Sequence, residues 1–379
     1  MRTIKFTITY FILSCVVQNV VFTQANDDSL FQQFSQQQNA GTASFEKEYD
    51  AWEQKEKAKF DAYKTEVERK WREFQNSTRE EWVDYDVKKD TKSKVNFEDG
   101  KVVIEALVPV KDSKKEETAK QKLQEKVQQL FTPENPAKKM VLENQVLGDD
   151  GKPITEISAK EFSRKIVQQT EMVDEPPVKG QDGIERVKVR VTITLVPDHI
   201  RKRAEQYLEA VRENAKRFKI DIALAFAIMQ TESYFNPMAK SPVPAFGLMQ
   251  LVPRSAGKDA YKLVYGKDEV VTSDYLYVPN QNVELGIAYL SILRYKYFKG
   301  VEDEEKLALV CICAYNTGAG NVSKALTKTT KLKPAIDVIN KMKTEELYST
   351  LLAKLPYVET KNYLKNVSER RKNYETWRE

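Results

Sequence analysis

The stretch DIALAFAIMQTESYFNPMAKSPVPAFGLMQ, residues 221–250, combines an apolar segment with a single acidic side chain that follows it. Residues 222–229 are all apolar, so the predicted helix runs through a core rather than along a surface. Asp221 is a suitable N-cap, and the pattern predicts a helix over 221–233. The sequence FNP then ends the helix shortly after Glu232.

Glu232 is expected to have an unusual environment for a carboxyl group. It leaves the apolar helix at the C-terminal end, where it is partly desolvated and faces the negative end of the helix dipole. Both effects disfavour the ionised form and raise the pKa, which is how a fold makes a general acid near neutral pH. The pattern alone leaves a second interpretation open, a glutamate that simply hydrogen-bonds the following loop.

Two further short motifs carry candidate site residues. FGLMQ places the amide of Gln250 beside a glycine and an apolar pair, and an amide can orient sugar hydroxyl or N-acetyl groups without adding charge. CAYNTGAGNV ends a predicted buried helix with Tyr315 and Asn316 before a glycine-rich turn. Taken alone, this triplet is more typical of a helix C-terminus than of a binding site.

Composition excludes several classes of site and partner. The 379 residues carry a net charge of +5 with interleaved acids and bases, which gives no reason to expect nucleic acid as a partner. His199 is the single histidine, so a His-rich zinc site or a Ser-His-Asp triad is hard to build. We interpret it as a surface or helix-cap residue. Cys311 and Cys313 are two apart on a predicted helix and are interpreted as unpaired small hydrophobic residues. We therefore expect chemistry without a metal or other cofactor.

The N-terminal stretch MRTIKFTITYFILSCVVQNVVFTQA, residues 1–25, is typical of a secretory signal. Arg2 and Lys5 precede an uncharged apolar run that ends in small residues at Ala25. FILSC resembles the lipobox of bacterial lipoproteins, which would make Cys15 the lipid-bearing first residue and attach the protein to the outer membrane. Ordinary cleavage after Ala25 is the alternative, and we favour it. Either route predicts a protein that leaves the cytoplasm.

The chain is long enough for two domains. Residues 26–43 are predicted to be a flexible Gln-rich spacer, and residues 44–197 an α+β domain. This domain begins with a long charged helix, from about 44 to 83, whose aromatic residues recur every eleven positions. We interpret this aromatic stripe as packed on its own domain or on a partner helix, with sugar stacking as the alternative. Alternating strands follow around the predicted turn at 98–100.

From residue 198 onward the sequence is predicted to be mainly α-helical. The predicted helices cover 198–218, 221–233, 281–298, 304–315 and 361–376. The preceding strand runs into the first of these helices with little linker, so the two domains are expected to be rigidly coupled.

Four ordered motifs give the helical part a resemblance to a known family. ESYFNPMAKSPVPAFGLMQ, VPNQNVELGIAYL, AYNTGAG and PYVETKNYLKNV resemble lytic transglycosylases of the soluble-murein-transglycosylase, goose-lysozyme-like type, over residues 198–376. VNFEDGKVVIE and VTITLVPDHIRKRAEQYL, further upstream, are similar to membrane-bound lytic murein transglycosylases of type C. The resemblance implies an α+β N-terminal domain followed by a mainly α-helical, lysozyme-like catalytic domain at 198–379. It also implies peptidoglycan glycan strands as the partner and the bacterial periplasm as the location.

The resemblance further implies roles for single residues. Glu232 matches the family's one catalytic acid and base, which would cleave the bond between N-acetylmuramic acid and N-acetylglucosamine and leave a 1,6-anhydro end. The matching substrate-binding residues are Ser241, Gln250, Tyr315, Asn316 and Tyr363. The sequence departs from the family at Val278, where members often carry aspartate, and at Pro242 and Pro244, which stiffen the loop after Ser241. These departures concern the glycan groove and not the acid.

Two other functions stay open from the sequence. A true hydrolase of lysozyme type needs a second carboxylate or a held water, and Asp259 and Asp274 are candidates in the same domain. A catalytically inactive glycan-binding protein is the alternative from another class. Substrate-assisted enzymes need only one carboxylate, because a neighbouring N-acetyl group stabilises the cation that develops at C1. The sequence does not decide between exo- and endo-cleavage, or give the oligomeric state.

Overall fold

The computed structural model describes residues 50–51, 54–55, 57–132, 141–169, 171–172, 176–241 and 245–377. From residue 51 onward the chain forms one compact unit. The predicted signal and spacer, together with Cys15, Pro242 and Pro244, lie outside the described residues.

An antiparallel sheet forms the first half of this unit. Its strand order is β1-β2-β3-β6-β4, and β5 also pairs with β6. The strands are β1 Glu81–Tyr85, β2 Thr91–Asn96, β3 Lys101–Pro109, β4 Glu171–Met172, β5 Val178–Lys179 and β6 Glu185–Thr194. The predicted turn is confirmed between β2 and β3, where Gly100 has a φ of +64°. Two helices, α2 Lys115–Gln129 and α3 Glu156–Ile166, complete this half, and α2 packs on β3.

The long helix at the start of this half ends earlier than predicted. The described residues of the first helix, α1, are 50–51, 54–55 and 57–68, and the chain then reverses direction, so that Trp82 lies in β1. Trp71 directs this reversal, because its ring is 4% exposed and its Nε1 donates a hydrogen bond to Lys89 O at 2.9 Å. Phe74 then folds back against Phe60, with 5.6 Å between ring centroids. Most described members of the aromatic stripe therefore pack on their own half of the protein, while Phe60 also lies beside Lys240 of the helical half.

Helices make up the second half. They are α4 His199–Glu205, α5 Leu208–Phe218, α6 Ile222–Ser233, α7 Lys258–Tyr265, α8 Ser273–Leu276, α9 Pro279–Ile292, α10 Glu304–Thr317, α11 Ala319–Thr327, α12 Leu332–Lys341, α13 Thr344–Lys354 and α14 Val358–Arg371. The helix predicted over 198–218 is two helices, because the chain breaks to bury Tyr207 between them. Helix α6 lies in the main core and packs on α5 and α14.

His199 connects the two halves, and of its two predicted places, the surface or a helix cap, only the surface was wrong. It is the first residue of α4 and is 8% exposed. Its ring nitrogens lie 2.8 Å from Val196 O and 2.7 Å from Phe97 O. The histidine therefore holds the end of the β2–β3 hairpin against the start of the helical half. The predicted fold class, α+β followed by mainly α-helical, is confirmed.

Within the described ranges, no helix combines the length and the apolar character that crossing a membrane requires.

Candidate active site

Helix α6 carries Glu232 into the core near its C-terminal end. The predicted N-cap is confirmed, since Asp221 Oδ1 accepts a hydrogen bond from Ala223 N at 3.1 Å. The helix ends at Ser233, earlier than the FNP sequence, because Tyr234 adopts the left-handed conformation with a φ of 48°. Ser233 Oγ donates to Leu248 O at 2.7 Å and attaches the helix end to the FGLMQ loop. Glu232 is 4% exposed.

The Glu232 carboxyl group has one direct hydrogen-bonding partner from the C-terminal helix. Tyr363 Oη donates to Glu232 Oε1 at 2.7 Å, and Tyr363 is itself buried. Burial raises the pKa of Glu232 to about 7, while the charge of Arg79 and the Tyr363 hydrogen bond oppose the rise and the charge of Glu359 adds to it. A carboxyl group with this pKa is substantially protonated near neutral pH and can act as a general acid.

Tyr315 lies on the side of the site formed by α10. Its Oη donates to Met249 O at 2.8 Å, one residue before Gln250. Burial raises the pKa of Tyr315 well above its ordinary value, and the charge of Glu232 contributes to the same rise. Tyr363 therefore contacts Glu232 directly, and Tyr315 lies within electrostatic range of it, so three different helices contribute to this region. The roles that the resemblance implies for these residues stay predictions.

The FGLMQ loop depends on a residue that was not predicted as part of the site. Asn282, in α9, is fully buried, and its Oδ1 accepts from Met249 N at 2.8 Å. Its Nδ2 donates to Phe246 O and Leu276 O at 2.9 and 2.8 Å. Gly247 has a φ of +76°, and a Cβ at that position would lie 2.4 Å from the Asn282 amide nitrogen. The quoted motif VPNQN contains this asparagine, but the pattern gave no reason to select it.

The side-chain amide nitrogen of Gln250 forms its hydrogen bonds with neighbouring backbone carbonyls. Nε2 donates to Ala239 O and Gly247 O, both at 3.0 Å. Oε1 is buried and has no hydrogen-bonding partner among the described residues. A buried acceptor without a partner is costly, so this oxygen is suited to accept an N–H from a ligand. The predicted role of Gln250 in binding substrate stays a prediction with this oxygen as its basis.

The other two predicted site residues form hydrogen bonds to neighbouring protein groups. Asn316 Oδ1 accepts from Thr360 Oγ1 at 2.7 Å, which links the end of α10 to α14. Ser241 Oγ accepts from Ala245 N at 3.2 Å and closes the base of the loop that contains residues 242–244. Their contacts with a substrate stay predictions.

A buried arginine attaches the end of α6 to the first half of the protein. Arg203 is 4% exposed, and its guanidinium donates to Tyr234 O at 3.0 Å and to Phe235 O at 2.8 Å. The guanidinium carbon also lies 3.5 Å from the centroid of the Phe97 ring, at the end of β2. Burial lowers the pKa of Arg203 to about 10. Both carbonyls lie within three residues of Glu232, so Arg203 fixes the backbone that carries the acid.

Two charged residues that lie near Glu232 were not predicted from the sequence. Arg79 precedes β1, and its Nη2 lies 3.2 Å from Glu359 Oε1 in α14. Glu359 belongs to the quoted PYVETKNYLKNV motif and lies one helical turn from Tyr363. For Arg79 the local sequence held no signal, because the pair is separated by 280 residues.

Two family models match the chain, one on each half. The model of the membrane-bound lytic murein transglycosylase C N-terminal domain matches residues 53–206, and the model of the transglycosylase SLT domain matches residues 209–338. Among solved structures, an inactive mutant of the lytic transglycosylase Slt from Pseudomonas aeruginosa is 29% identical with a TM-score of 0.34. That match covers 44% of this chain and 24% of the solved chain.

Two relatives match parts of different length. Membrane-bound lytic murein transglycosylase C of Edwardsiella ictaluri is 34% identical over 304 residues, which is 77% of this chain and 81% of that protein. The protein of the same name from Pectobacterium atrosepticum is 44% identical over 184 residues, 48% of this chain and 51% of its own length. This chain therefore belongs to the membrane-bound lytic murein transglycosylase C family and is a lytic transglycosylase.

Proposed function

We propose that the protein cleaves the β-1,4 bond between N-acetylmuramic acid and N-acetylglucosamine in peptidoglycan and leaves a 1,6-anhydro end. The observation that carries this proposal is the Glu232 carboxyl group, which is buried, has a pKa of about 7 and accepts a hydrogen bond from Tyr363. A carboxyl group that is balanced between its two protonation states can serve first as acid and then as base.

In the proposed first step, Glu232 gives its proton to the glycosidic oxygen, and the bond from C1 to that oxygen breaks. The N-acetyl carbonyl of the muramic acid stabilises the cation that develops at C1. In the second step, the Glu232 carboxylate takes the proton of the C6 hydroxyl, whose oxygen attacks C1. Glu232 ends as it began, and no water is consumed. The Tyr363 hydrogen bond stabilises the carboxylate between the two steps.

A lysozyme-type hydrolase is the second candidate, because the structure contains a second carboxylate whose charge acts on Glu232. This group is Glu359, whereas Asp259 and Asp274 are exposed and do not influence the pKa of Glu232. In a hydrolase, Glu359 would activate a water molecule. We favour the transglycosylase because family membership supports it and because Glu359 is paired with Arg79.

Digestion of purified sacculi in ¹⁸O-labelled water separates these functions. The proposal expects muropeptides that are lighter by one water than hydrolysis products and that carry no label. We expect Glu232→Gln to slow their release by about 10³-fold, in the range of lost general-acid catalysis, while the protein stays folded. Glu359→Gln is the matched control and should keep most of the activity. Labelled reducing ends, or loss of activity in Glu359→Gln alone, would favour the hydrolase.

We further propose that the protein works in the periplasm of the bacterial envelope and that residues 198–379 are its catalytic domain. The relatives are named membrane-bound, which supports a membrane-associated envelope protein. Lipidation at Cys15 and cleavage after Ala25 predict different mature N-termini. Mass spectrometry of the mature protein distinguishes them.

A further inference from the structure

The segment before β1 reaches the catalytic site at Arg79. Its Nη2 lies 3.2 Å from Glu359 Oε1, and Glu359 and Tyr363 are four residues apart on α14, so they share one face of the helix. The outer two of these four residues are exposed to solvent and the inner two are buried. The Glu359 side chain is 65% exposed and that of Arg79 is 32% exposed, whereas Tyr363 and Glu232 are 3% and 4% exposed. Arg79 therefore lies at the partly exposed end of a series of contacts that leads through Glu359 and Tyr363 to the buried Glu232.

The charge of Arg79 acts on the two buried groups of this series. Burial raises the pKa of both Glu232 and Tyr363, and the charge of Arg79 opposes each rise. A residue from the first half of the chain is thus within electrostatic range of the acid that the helical half supplies.

The guanidinium of Arg79 has capacity for a second anionic partner. In the part of the chain that the structure describes, Glu359 is its one hydrogen-bonding or ion-pairing partner, through a single nitrogen. Arginine has several N–H donors in a planar fork that binds a carboxylate through two parallel hydrogen bonds. Partly exposed ion pairs contribute little to stability, so exchanging Glu359 for a carboxylate of a ligand costs little.

We propose that Arg79 is a substrate-binding residue which the first half of the protein supplies to the lytic site, and that it recognises a carboxylate of the peptide stem. This inference rests on the proposed function. In peptidoglycan the muramic acid carries the stem and also contributes C1 to the bond that is cleaved. When that bond lies at Glu232, the stem starts on a sugar at the site, and Arg79 is a partly exposed cation whose charge acts on that site.

The test compares native sacculi with sacculi whose carboxylates have been converted to carboxamides, which keeps the glycan and the stem length unchanged. The readout is the initial rate of muropeptide release at a subsaturating amount of sacculi. On native sacculi we expect Arg79→Gln to be about tenfold slower than wild type, the effect of one charge-assisted contact. On carboxamide sacculi we expect the wild-type rate to fall by a similar factor and the Arg79→Gln rate to stay unchanged. Arg79→Lys should recover part of the rate on native sacculi.

Arg294→Gln is the matched control. Arg294 forms an ion pair with Glu304, and the side-chain exposures of 22% and 71% are similar to those of the Arg79–Glu359 pair. Arg294 and Glu304 lie beside Asp221, at the opposite end of α6 from Glu232. We expect the same rate as wild type on both forms of sacculi.

The pH profile tests whether the Arg79 charge faces the acid in solution. The groups that face Glu232 are Arg79, Glu359 and the hydroxyls of Tyr363 and Tyr315. Removing a positive charge raises the pKa of Glu232 and removing a negative charge lowers it. The alkaline limb of kcat/KM should therefore move to higher pH in Arg79→Gln and to lower pH in Glu359→Gln.

Equal losses on both forms of sacculi in a folded Arg79→Gln variant would overturn the proposal, as would an alkaline limb that does not move. Failure of the proposed function has a different signature. In that case the wild-type protein itself releases no anhydro-muropeptides from native sacculi.

Discussion

Glu232 is neutral over an unusually wide pH range for a carboxyl group, because its side chain is almost entirely buried and its pKa is about 7. The same burial that makes it a general acid also makes its ionisation costly to the folded protein. Activity and stability therefore depend on pH through one group, and each dependence can be measured separately.

The first prediction concerns stability. The folded pKa of about 7 is above the ordinary value of 4.5, so the contribution of Glu232 is fully present below pH 4.5 and is lost as pH rises through 7. Glu232→Gln removes this loss. At pH 8 we expect the variant to unfold at a higher denaturant concentration than wild type. Its free energy of unfolding should be greater by about 3 kcal/mol. Near pH 4 the difference should disappear. A difference that stays constant between pH 4 and 8 would contradict the raised pKa.

The second prediction concerns Tyr363→Phe. The substitution keeps the ring and removes the hydrogen bond to Glu232 Oε1. In the wild-type protein this hydrogen bond lowers the pKa of Glu232. Without it the pKa rises further, so the alkaline limb of activity should move to higher pH while the maximal rate falls about tenfold. Tyr348→Phe is the control, since Tyr348 lies on α13 in a different cavity. Unchanged pH profiles for both variants would show that the hydrogen bond is absent in solution.

At the scale of elements, the site depends on the fit between α9 and the FGLMQ loop. Gly286 on α9 approaches so closely that a Cβ there would lie 2.2 Å from Met249 Sδ. Asn282, one turn earlier, hydrogen-bonds the same loop. The loop in turn positions Met249 O, the acceptor for Tyr315.

The third prediction compares two glycines that share a backbone conformation. Gly247 and Gly266 have φ values of +76° and +71°, but an added Cβ meets Leu276 O at 2.3 Å in the first and nothing within 4 Å in the second. Gly266→Ala should cost about 1–2 kcal/mol of stability from backbone strain alone. Gly247→Ala should cost about 3 kcal/mol or more and should reduce activity as well, because the loop must move. Equal costs in chemical denaturation would show that the close approach at Gly247 is relieved without strain.

At the scale of the whole molecule, the sheet and the helical half share core contacts. Tyr234, two residues after Glu232, packs in the core of the sheet half, and its Oη donates to Glu98 Oε1 at 3.0 Å. Ile200 packs against the cores of both halves. The buried guanidinium of Arg203 donates hydrogen bonds to both halves, to Val141 O in the sheet half and to Phe235 O in the helical half.

The fourth prediction is that the two halves unfold together. The calorimetric and van't Hoff enthalpies of the wild-type transition should agree. Arg203→Met leaves several buried carbonyls without donors and should cost about 3 kcal/mol. Arg201→Met, on the same helix, removes an exposed ion pair with Glu205 and should change stability by about 0.5 kcal/mol or less. Two separate transitions in the wild-type protein would contradict the coupling.

Local patterns predicted the parts of the fold that depend on neighbouring residues. The apolar run 222–229 and its cap at Asp221 predicted α6, and the turn at 98–100 predicted the hairpin. The eleven-residue aromatic period predicted a helix that is too long. Trp71 gains more from burial against Tyr85 and Leu107 than from continuing the helix, and that gain depends on distant residues.

The sequence by itself determined the apolar helix and the position of Glu232 at its end, because both follow from neighbouring residues. That the carboxyl group is buried and has a raised pKa was decided by the tertiary structure. The family motif on α14 pointed to Tyr363, and the structure places its hydroxyl against Glu232. Only the tertiary structure decided which charges act on that acid. Arg79 and Glu359 are separated by 280 residues and meet because the sheet half packs against the helical half. Electrostatic effects depend on distance in space, and a local sequence pattern does not contain that distance.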